Sequence, residues 1–360
     1  MKVGILTWYF GINYGARAHS LALMNIINGL GYDCEFVNYT SSNNLKLEFR
    51  TCCAAANLKC HPLIVLRGIK RLMKYRRQLS EYPSTKKVTN ANEISVLELD
   101  ALILGSDEIL NQQHSLYNDV YYGVGLNTAL PTIIFSASSG TVSPETKLSA
   151  SICNSLRNMV GIYVRDDATA ELIENNIGCK PQIVLDPTLM YDFGKDRKPL
   201  EKGKYLLIYS FGKLEREKDR IKEFARKNSL KIVCVGRVCK WADKSYAGAD
   251  LNDWLALYQY AQYIVTDSYH GMIFAIKNHK EFILVSRGDK TNKIDGLRNI
   301  LNISRNAYEP EKESIDSYLS QALDYNIIDK CIQSEKNRSI SCLSVALKEA
   351  AENCRKRKSL

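Results

Sequence analysis

Tyr263-Ile264-Val265-Thr266-Asp267-Ser268-Tyr269-His270-Gly271-Met272-Ile273-Phe274-Ala275-Ile276 decides how the rest of the chain is read. Its first residues are apolar and partly β-branched, as in a buried strand. Asp267 and Ser268 form a polar turn, and the spacing from Tyr269 onward is helical. A strand running straight into a helix start is the repeating unit of a parallel sheet. It sets the polar turn at the carboxyl end of the strand, where such sheets bind ligands. An imidazole at a helix N-terminus can act as a general acid or hold a phosphate. A single histidine is more often structural, but Asp267, Ser268 and Gly271 beside it favour a functional His270.

The alternation repeats outward in both directions. Strands are expected at 205–210, 231–236 and 281–285, with helices over 214–228 and 251–261. Upstream, short apolar runs fall at 2–7, 34–39, 100–104, 132–136, 161–164 and 182–185, and the first is followed by helical spacing through Ala18, Leu21, Ala22 and Leu30. The expected class is α/β: two Rossmann-like domains facing a cleft, with a C-terminal helical segment. The boundaries are 1–192 and 204–310, separated by a polar linker from Phe193 to Lys204, with helices over 311–360 that pack back on the first domain. Segment 41–98 fits this pattern least and reads as a helical insertion.

Composition narrows the classes. At 360 residues, 24% charged and 45% apolar, the chain has material for two cores and is wrong for disorder. No apolar run reaches the roughly 18–20 residues of a membrane-spanning helix. The opening Met1–Phe10 stretch has no small-residue cleavage site, and it reads as a first strand in a cytoplasmic protein. Eleven cysteines include no C-x-x-C pair; Cys52, Cys53, Cys60 and His61 alone cluster, and neither metal nor cofactor is assigned. Lysine plus arginine is 49 against 39 acids, a net charge of +10. The excess gathers at Arg67, Lys70, Arg71, Lys74, Arg76 and Arg77 and again at Arg355–Lys358, which reads as a frayed tail. Such a surplus suggests an anionic partner. With no nucleic-acid motif or Arg/aromatic platform, none of that class is assigned.

Two further turns follow predicted strands. Gly11-Ile12-Asn13-Tyr14-Gly15-Ala16 opens the first helix, either as a ligand-approach loop or as a plain strand-to-helix turn. It is not G-x-G-x-x-G, and Val37-Asn38-Tyr39 supplies no acid at the end of the second strand, so a dinucleotide site is not expected. Gly105-Ser106-Asp107-Glu108-Ile109-Leu110-Asn111 puts carboxylates at the carboxyl end of the third strand. There they can serve as general base, or simply as a helix N-cap with a first-turn acid.

These segments, in this order and together with Val184-Leu185-Asp186-Pro187-Thr188-Leu189, resemble the polysaccharide pyruvyl transferase family from about Gly4 to Ile303. Thr266-Asp267-Ser268-Tyr269-His270-Gly271 is the specific part; the other three persuade by their order. The resemblance implies a GT-B-like fold and transfer of the pyruvyl group of phosphoenolpyruvate onto two hydroxyls of a sugar, forming a cyclic ketal. It implies His270 as the acid meeting phosphoenolpyruvate, with Arg165, Ser268 and Gly271 beside it, and Asp107 or Glu108 as base. Some members carry an arginine where Ser268 stands here. Arg287 is then the first choice for a second cation on the phosphate and carboxylate, followed by Arg237 and Lys290. Asn13, Tyr14, Gly15, Ser106 and Asn111 are expected on the acceptor side, in the first domain, with the donor in the second.

The expected acceptor is a polyprenyl-diphosphate-linked oligosaccharide, galactose-containing in some relatives, used for capsule or other surface polysaccharide. The helical face of Leu66, Ile69, Leu72 and Met73, flanked by cations, would lie on the anionic inner membrane or on the protein body. Two other readings are a sugar-nucleotide glycosyltransferase of the same architecture and a non-catalytic sugar- or anion-binding relative. No ribose-binding glutamate stands out near 270–300, which counts against the first.

Overall fold

The computed structural model describes residues 1–10, 13–40, 73, 76–212, 214–285 and 292–358. The chain divides into two compact units, one of Met1–Asp192 with Gln333–Leu360 and one of Phe193–Ile332.

The first unit is built on six strands: β1 (Lys2–Leu6), β2 (Asp33–Phe36), β3 (Ala101–Leu104), β4 (Thr132–Ala137), β5 (Gly161–Val164) and β6 (Gln182–Ile183). They pair in parallel in the order β2-β1-β3-β4-β5-β6. β3 and β4 are buried along their whole length, as required of strands covered on both faces. Leu102, Leu104, Ile134, Val164, Leu172 and Ile173 share one core there. Helices Tyr14–Gly29, Ala150–Arg157 and Asp167–Ile177 belong to this unit, as does the part of helix Tyr325–Lys358 beyond Ile332. Within that last helix Leu343, Leu347 and Ala350 are buried, and the Leu185 N–H donates to the Ser339 hydroxyl at 2.9 Å.

The second unit holds β7 (Tyr205–Tyr209), β8 (Lys231–Val235), β9 (Lys244–Tyr246), β10 (Tyr263–Thr266) and β11 (Glu281–Leu284). These are again parallel, in the order β11-β10-β7-β8-β9. Helix Leu251–Tyr260 starts with a reciprocal capping box of Asp250 and Asp253. Its Trp254 and Tyr258 pack against Phe274 of helix Tyr269–Lys277.

The α/β class with two Rossmann-like halves is as the periodicity predicts. Both sheets reverse their strand order once, between β1 and β3 and between β10 and β7. These reversals open crevices at the carboxyl ends of the strands.

The structure departs from the sequence reading at several elements. β9 was not anticipated, being three residues at a sheet edge with Lys244 exposed. Within the supposed helical insertion 41–98, residues 41–72 and 74–75 lie outside the described residues, as does most of the basic helix 67–77. Residues 83–88 are extended rather than helical: Phe36 N–H donates to the Pro83 carbonyl and Val88 N–H to that of Asn38, prolonging the edge beside β2. The expected frayed tail is instead helical through Lys358. Among the described residues no helix is long and apolar enough to cross a membrane.

Candidate functional site

In the first unit the loop after β3, beside the β1/β3 reversal, meets the ends of β4 and β5 and helix Tyr14–Gly29. Gly105, following β3, has φ +139°, and a Cβ there would stand 2.0 Å from the Phe135 carbonyl oxygen, so only glycine lets the loop lie on β4. Asp107 is left-handed, φ +78°, a conformation that aspartate tolerates better than most residues. Its carbonyl accepts from Ser138 N–H at 2.8 Å, which holds the loop against the end of β4. No helix starts at Ser106 or Asp107, so their capping reading does not apply.

A buried polar chain runs through this point. Ser106 Oγ is 2.7 Å from Nδ1 of His19, and Nε2 of His19 is 3.2 Å from Asp107 Oδ2. The other oxygen of Asp107, Oδ1, lies 3.6 Å from Arg165 Nη2, and Arg165 Nη1 donates to Asp186 Oδ2 at 2.9 Å. Asp186 in turn caps helix Pro187–Met190, its Oδ1 accepting from the Thr188 N–H and hydroxyl at 2.9 and 2.6 Å. The His19, Arg165 and Asp186 side chains are at most 1% exposed, whereas that of Asp107 is 12% exposed. The carboxylate of Asp107 is therefore the member of the chain that reaches solvent.

Glu108 and Asn111 brace the same loop: Asn111 Nδ2 donates to Glu108 Oε2 at 3.2 Å, and Asn111 Oδ1 accepts from Gln113 N–H at 3.0 Å. Asn13 caps helix Tyr14–Gly29, its Oδ1 accepting from Gly15 and Ala16 N–H at 3.0 and 3.4 Å. Gly15 and Tyr14 are both buried in the first turn. The structure thus brings Ser106, Asp107 and Arg165 together. It adds His19 and Asp186, neither of which the sequence reading placed in the site. Asp186 lay in the Val184–Leu189 motif; His19 falls in the first two turns of helix Tyr14–Gly29, where every residue is buried, and gave no signal.

In the second unit the β10/β7 reversal carries the opening stretch of sequence. Ser268 caps helix Tyr269–Lys277, its Oγ accepting from Gly271 N–H at 3.4 Å, and Thr266 Oγ1 accepts from Ser268 N–H at 3.1 Å. Asp267 reaches across to the loop after β7, where its two oxygens accept from Phe211 and Gly212 N–H at 2.9 and 2.6 Å. His270 is 5% exposed in the first turn of the helix, at its electropositive end. Its ring lies edge-on to Tyr269, centroids 5.4 Å apart. A Cβ on Gly271 would fall 1.9 Å from Thr266 Oγ1, so glycine permits the helix to start this close to β10. Burial pushes the Tyr258 phenol well above its ordinary range, with Asp267 adding to the effect, so this ring stays protonated. Arg237 is half-buried just beyond β8, one strand further from β10 than β7. Arg287 and Lys290 lie outside the described residues, as do Cys52, Cys53, Cys60 and His61. Among the described residues no group of histidines, cysteines and acids is arranged to hold a metal ion.

The chain's fold is similar to that of a protein assigned as a UDP-N-acetylglucosamine 2-epimerase from Listeria monocytogenes, with 10% identity, TM-score 0.53, and 92% of this chain and 90% of that chain covered. Lower TM-scores relate it to an α-glucosyltransferase in complex with UDP (0.48, 10% identity, 94% of each chain) and to S. aureus MnaA with UDP (0.47, 9% identity, 82% of each chain). The fold is accordingly GT-B-like. No curated protein matches the chain. The model of one family, polysaccharide pyruvyl transferase, matches residues 13–289, a span that takes in the switch-point clusters of both units, and the chain belongs to that family.

Proposed function

We propose that the protein transfers the pyruvyl group of phosphoenolpyruvate to two hydroxyls of a sugar, giving a cyclic ketal and inorganic phosphate. The observation that carries this reading is the second unit's switch point. There a buried histidine sits in the first turn of a capped helix, so a proton donor and an anion-attracting helix end occupy one place. His270 protonates the methylene carbon of phosphoenolpyruvate, which becomes the methyl group. The first hydroxyl oxygen attacks the resulting oxocarbenium-like carbon. Phosphate leaves with the electrons of its C–O bond, and the second oxygen closes the ketal. The two hydroxyl protons are thereby balanced, one by the proton delivered to the methyl carbon and one by the released phosphate.

In the first unit, Asp107 accepts the proton of the attacking hydroxyl, with Glu108 as the neighbouring acid. The acid and the base would each contribute roughly 10²–10⁴-fold. Arg165, tied to both Asp107 and Asp186, holds Asp107 in place. Arg287, Arg237 and Lys290 are the proposed cations for the substrate's phosphate and carboxylate, with Ser268 and Gly271 beside them. Asn13, Tyr14, Gly15, Ser106 and Asn111 shape the acceptor side. The acceptor is a polyprenyl-diphosphate-linked oligosaccharide of surface polysaccharide synthesis, met at the cytoplasmic face of the membrane. The net charge of +10 suits both that surface and a small trianionic donor.

Purified protein given phosphoenolpyruvate and a panel of galactosyl and mannosaminyl acceptors should release phosphate. One acceptor should gain the mass of pyruvic acid less one water. Release of UDP from a sugar nucleotide, with neither of those products, would establish the glycosyltransferase reading instead.

A further inference from the structure

We propose that His19 is a positioning residue for Asp107, fixing the carboxylate that receives the acceptor proton; this rests on the pyruvyl-transfer reading above. Nδ1 of His19 has two hydroxyls near it, Ser106 at 2.7 Å and Ser20 at 3.4 Å. The Ser20 hydroxyl donates to the Ala16 carbonyl at 2.7 Å and so does not also donate to Nδ1; with the Asp107 carboxylate facing Nε2, the Ser106 hydroxyl is the donor to Nδ1. An imidazole that accepts at Nδ1 carries its hydrogen on Nε2, which points at Asp107 Oδ2 from 3.2 Å. The opposite neutral tautomer would set a lone pair against a carboxylate.

Asp107 is therefore clamped from two sides, by His19 on one oxygen and by Arg165 on the other. The charged or titratable groups linked to Asp107, directly or through its partners, include His19, Arg165 and Asp186, with Glu108 adjacent in sequence. His19 is wholly enclosed while Asp107 reaches the surface, so the histidine acts through the aspartate and does not itself meet substrate. A wholly buried imidazole with a polar partner at each nitrogen is costly relative to an apolar side chain of like size, which indicates a role other than packing. Base and orienting partner are exchanged relative to the familiar Ser-His-Asp arrangement: here the carboxylate reacts and the imidazole orients it.

The test uses two substitutions of graded reach in the full-length protein. In His19→Gln the amide nitrogen takes the place of Nε2 and can still donate to Asp107. In His19→Asn the amide oxygen takes the place of Nδ1 and can accept from Ser106, but no donor reaches Asp107. Phosphate release and ketal formation from phosphoenolpyruvate are followed alongside thermal melting. His19→Gln should keep kcat within about threefold of wild type. His19→Asn should lose about 10–100-fold in kcat, part of the contribution of an acid or base, with KM for phosphoenolpyruvate unchanged. Equal losses in both variants, following their melting temperatures, would reduce His19 to a packing residue and overturn the proposal. So would a His19→Asn enzyme with wild-type kcat. Wild-type protein that forms no ketal from phosphoenolpyruvate would instead overturn the pyruvyl-transfer reading, and the His19 assignment with it.

Discussion

Removing Asp186 should weaken the first unit more than any single loss of packing on its surface. Its Oδ2 accepts from Arg165 at 2.9 Å, and neither side chain is more than 1% exposed. Truncating one partner of a buried pair costs about 3–5 kcal/mol, because the longer 3.6 Å pairing of Arg165 with Asp107 does not replace the 2.9 Å charge-assisted bond to Asp186. Asp186→Ala also deletes the cap on helix Pro187–Met190, worth about 1 kcal/mol. The sum, about 4–6 kcal/mol, is a large part of the roughly 5–15 kcal/mol by which domains are stable. With a urea slope of about 2 kcal/mol per molar, the midpoint of the first transition should fall by about 2–3 M. Circular dichroism through a urea titration measures it. Asp186→Asn can keep the Thr188 contacts through its remaining carbonyl oxygen, so the difference between the two variants isolates the cap. The double variant Arg165→Met/Asp186→Leu removes the charges together and should recover most of the stability while abolishing turnover. A midpoint shift below about 0.5 M for Asp186→Ala would refute the reasoning, because Arg165 would then have exchanged Asp186 for another partner at no cost.

Two other outcomes follow from the second unit. In Gly271→Ala the new methyl meets Thr266 Oγ1 at 1.9 Å and its Cβ at 2.9 Å, so the helix that carries His270 must shift. The expected loss is about 1–3 kcal/mol of stability together with most of the phosphate release, and a melting temperature equal to wild type would contradict it. Glu201 is 8% exposed and is held down to about 2 by a hydrogen bond from Lys244, with Lys231 and Tyr246 adding to it. Because its folded pKa is depressed, its contribution to stability is complete above the usual value of 4.5 and is lost as pH falls toward 2. Glu201→Gln should flatten the acid side of the stability–pH curve across that window; an unaltered slope would show that another carboxylate dominates it.

The strands were legible because buried parallel strands are short apolar runs, and the runs at 100–104, 132–136, 205–210 and 263–267 fall on β3, β4, β7 and β10 with end shifts of a residue or so. β9 was invisible: Lys244-Ser245-Tyr246 is an edge strand whose pairing with β8 comes from tertiary context and not from composition. The polar turns after β3 and β10 could be placed in the sequence because a parallel sheet presents its carboxyl ends as the ligand face. Their partners could not. Nothing in Ala16-Arg17-Ala18-His19-Ser20 distinguishes an imidazole aimed at Asp107 from a core histidine, since that distinction requires a contact 88 residues away. Likewise the sequence pointed to Asn13 and Asn111 at the acceptor side but not to their roles as an N-cap and a loop brace, which depend on local backbone geometry.

The central claim, that the bond broken in phosphoenolpyruvate is the one between carbon and oxygen, can be measured directly. Phosphoenolpyruvate carrying heavy oxygen at its bridging position is incubated with the protein and a responsive acceptor, and the released phosphate is analysed by mass spectrometry. Pyruvyl transfer leaves the label in the phosphate and an unlabelled ketal on the sugar. Label appearing in free pyruvate, with phosphate moved to the acceptor, would mean cleavage between phosphorus and oxygen and would contradict the account.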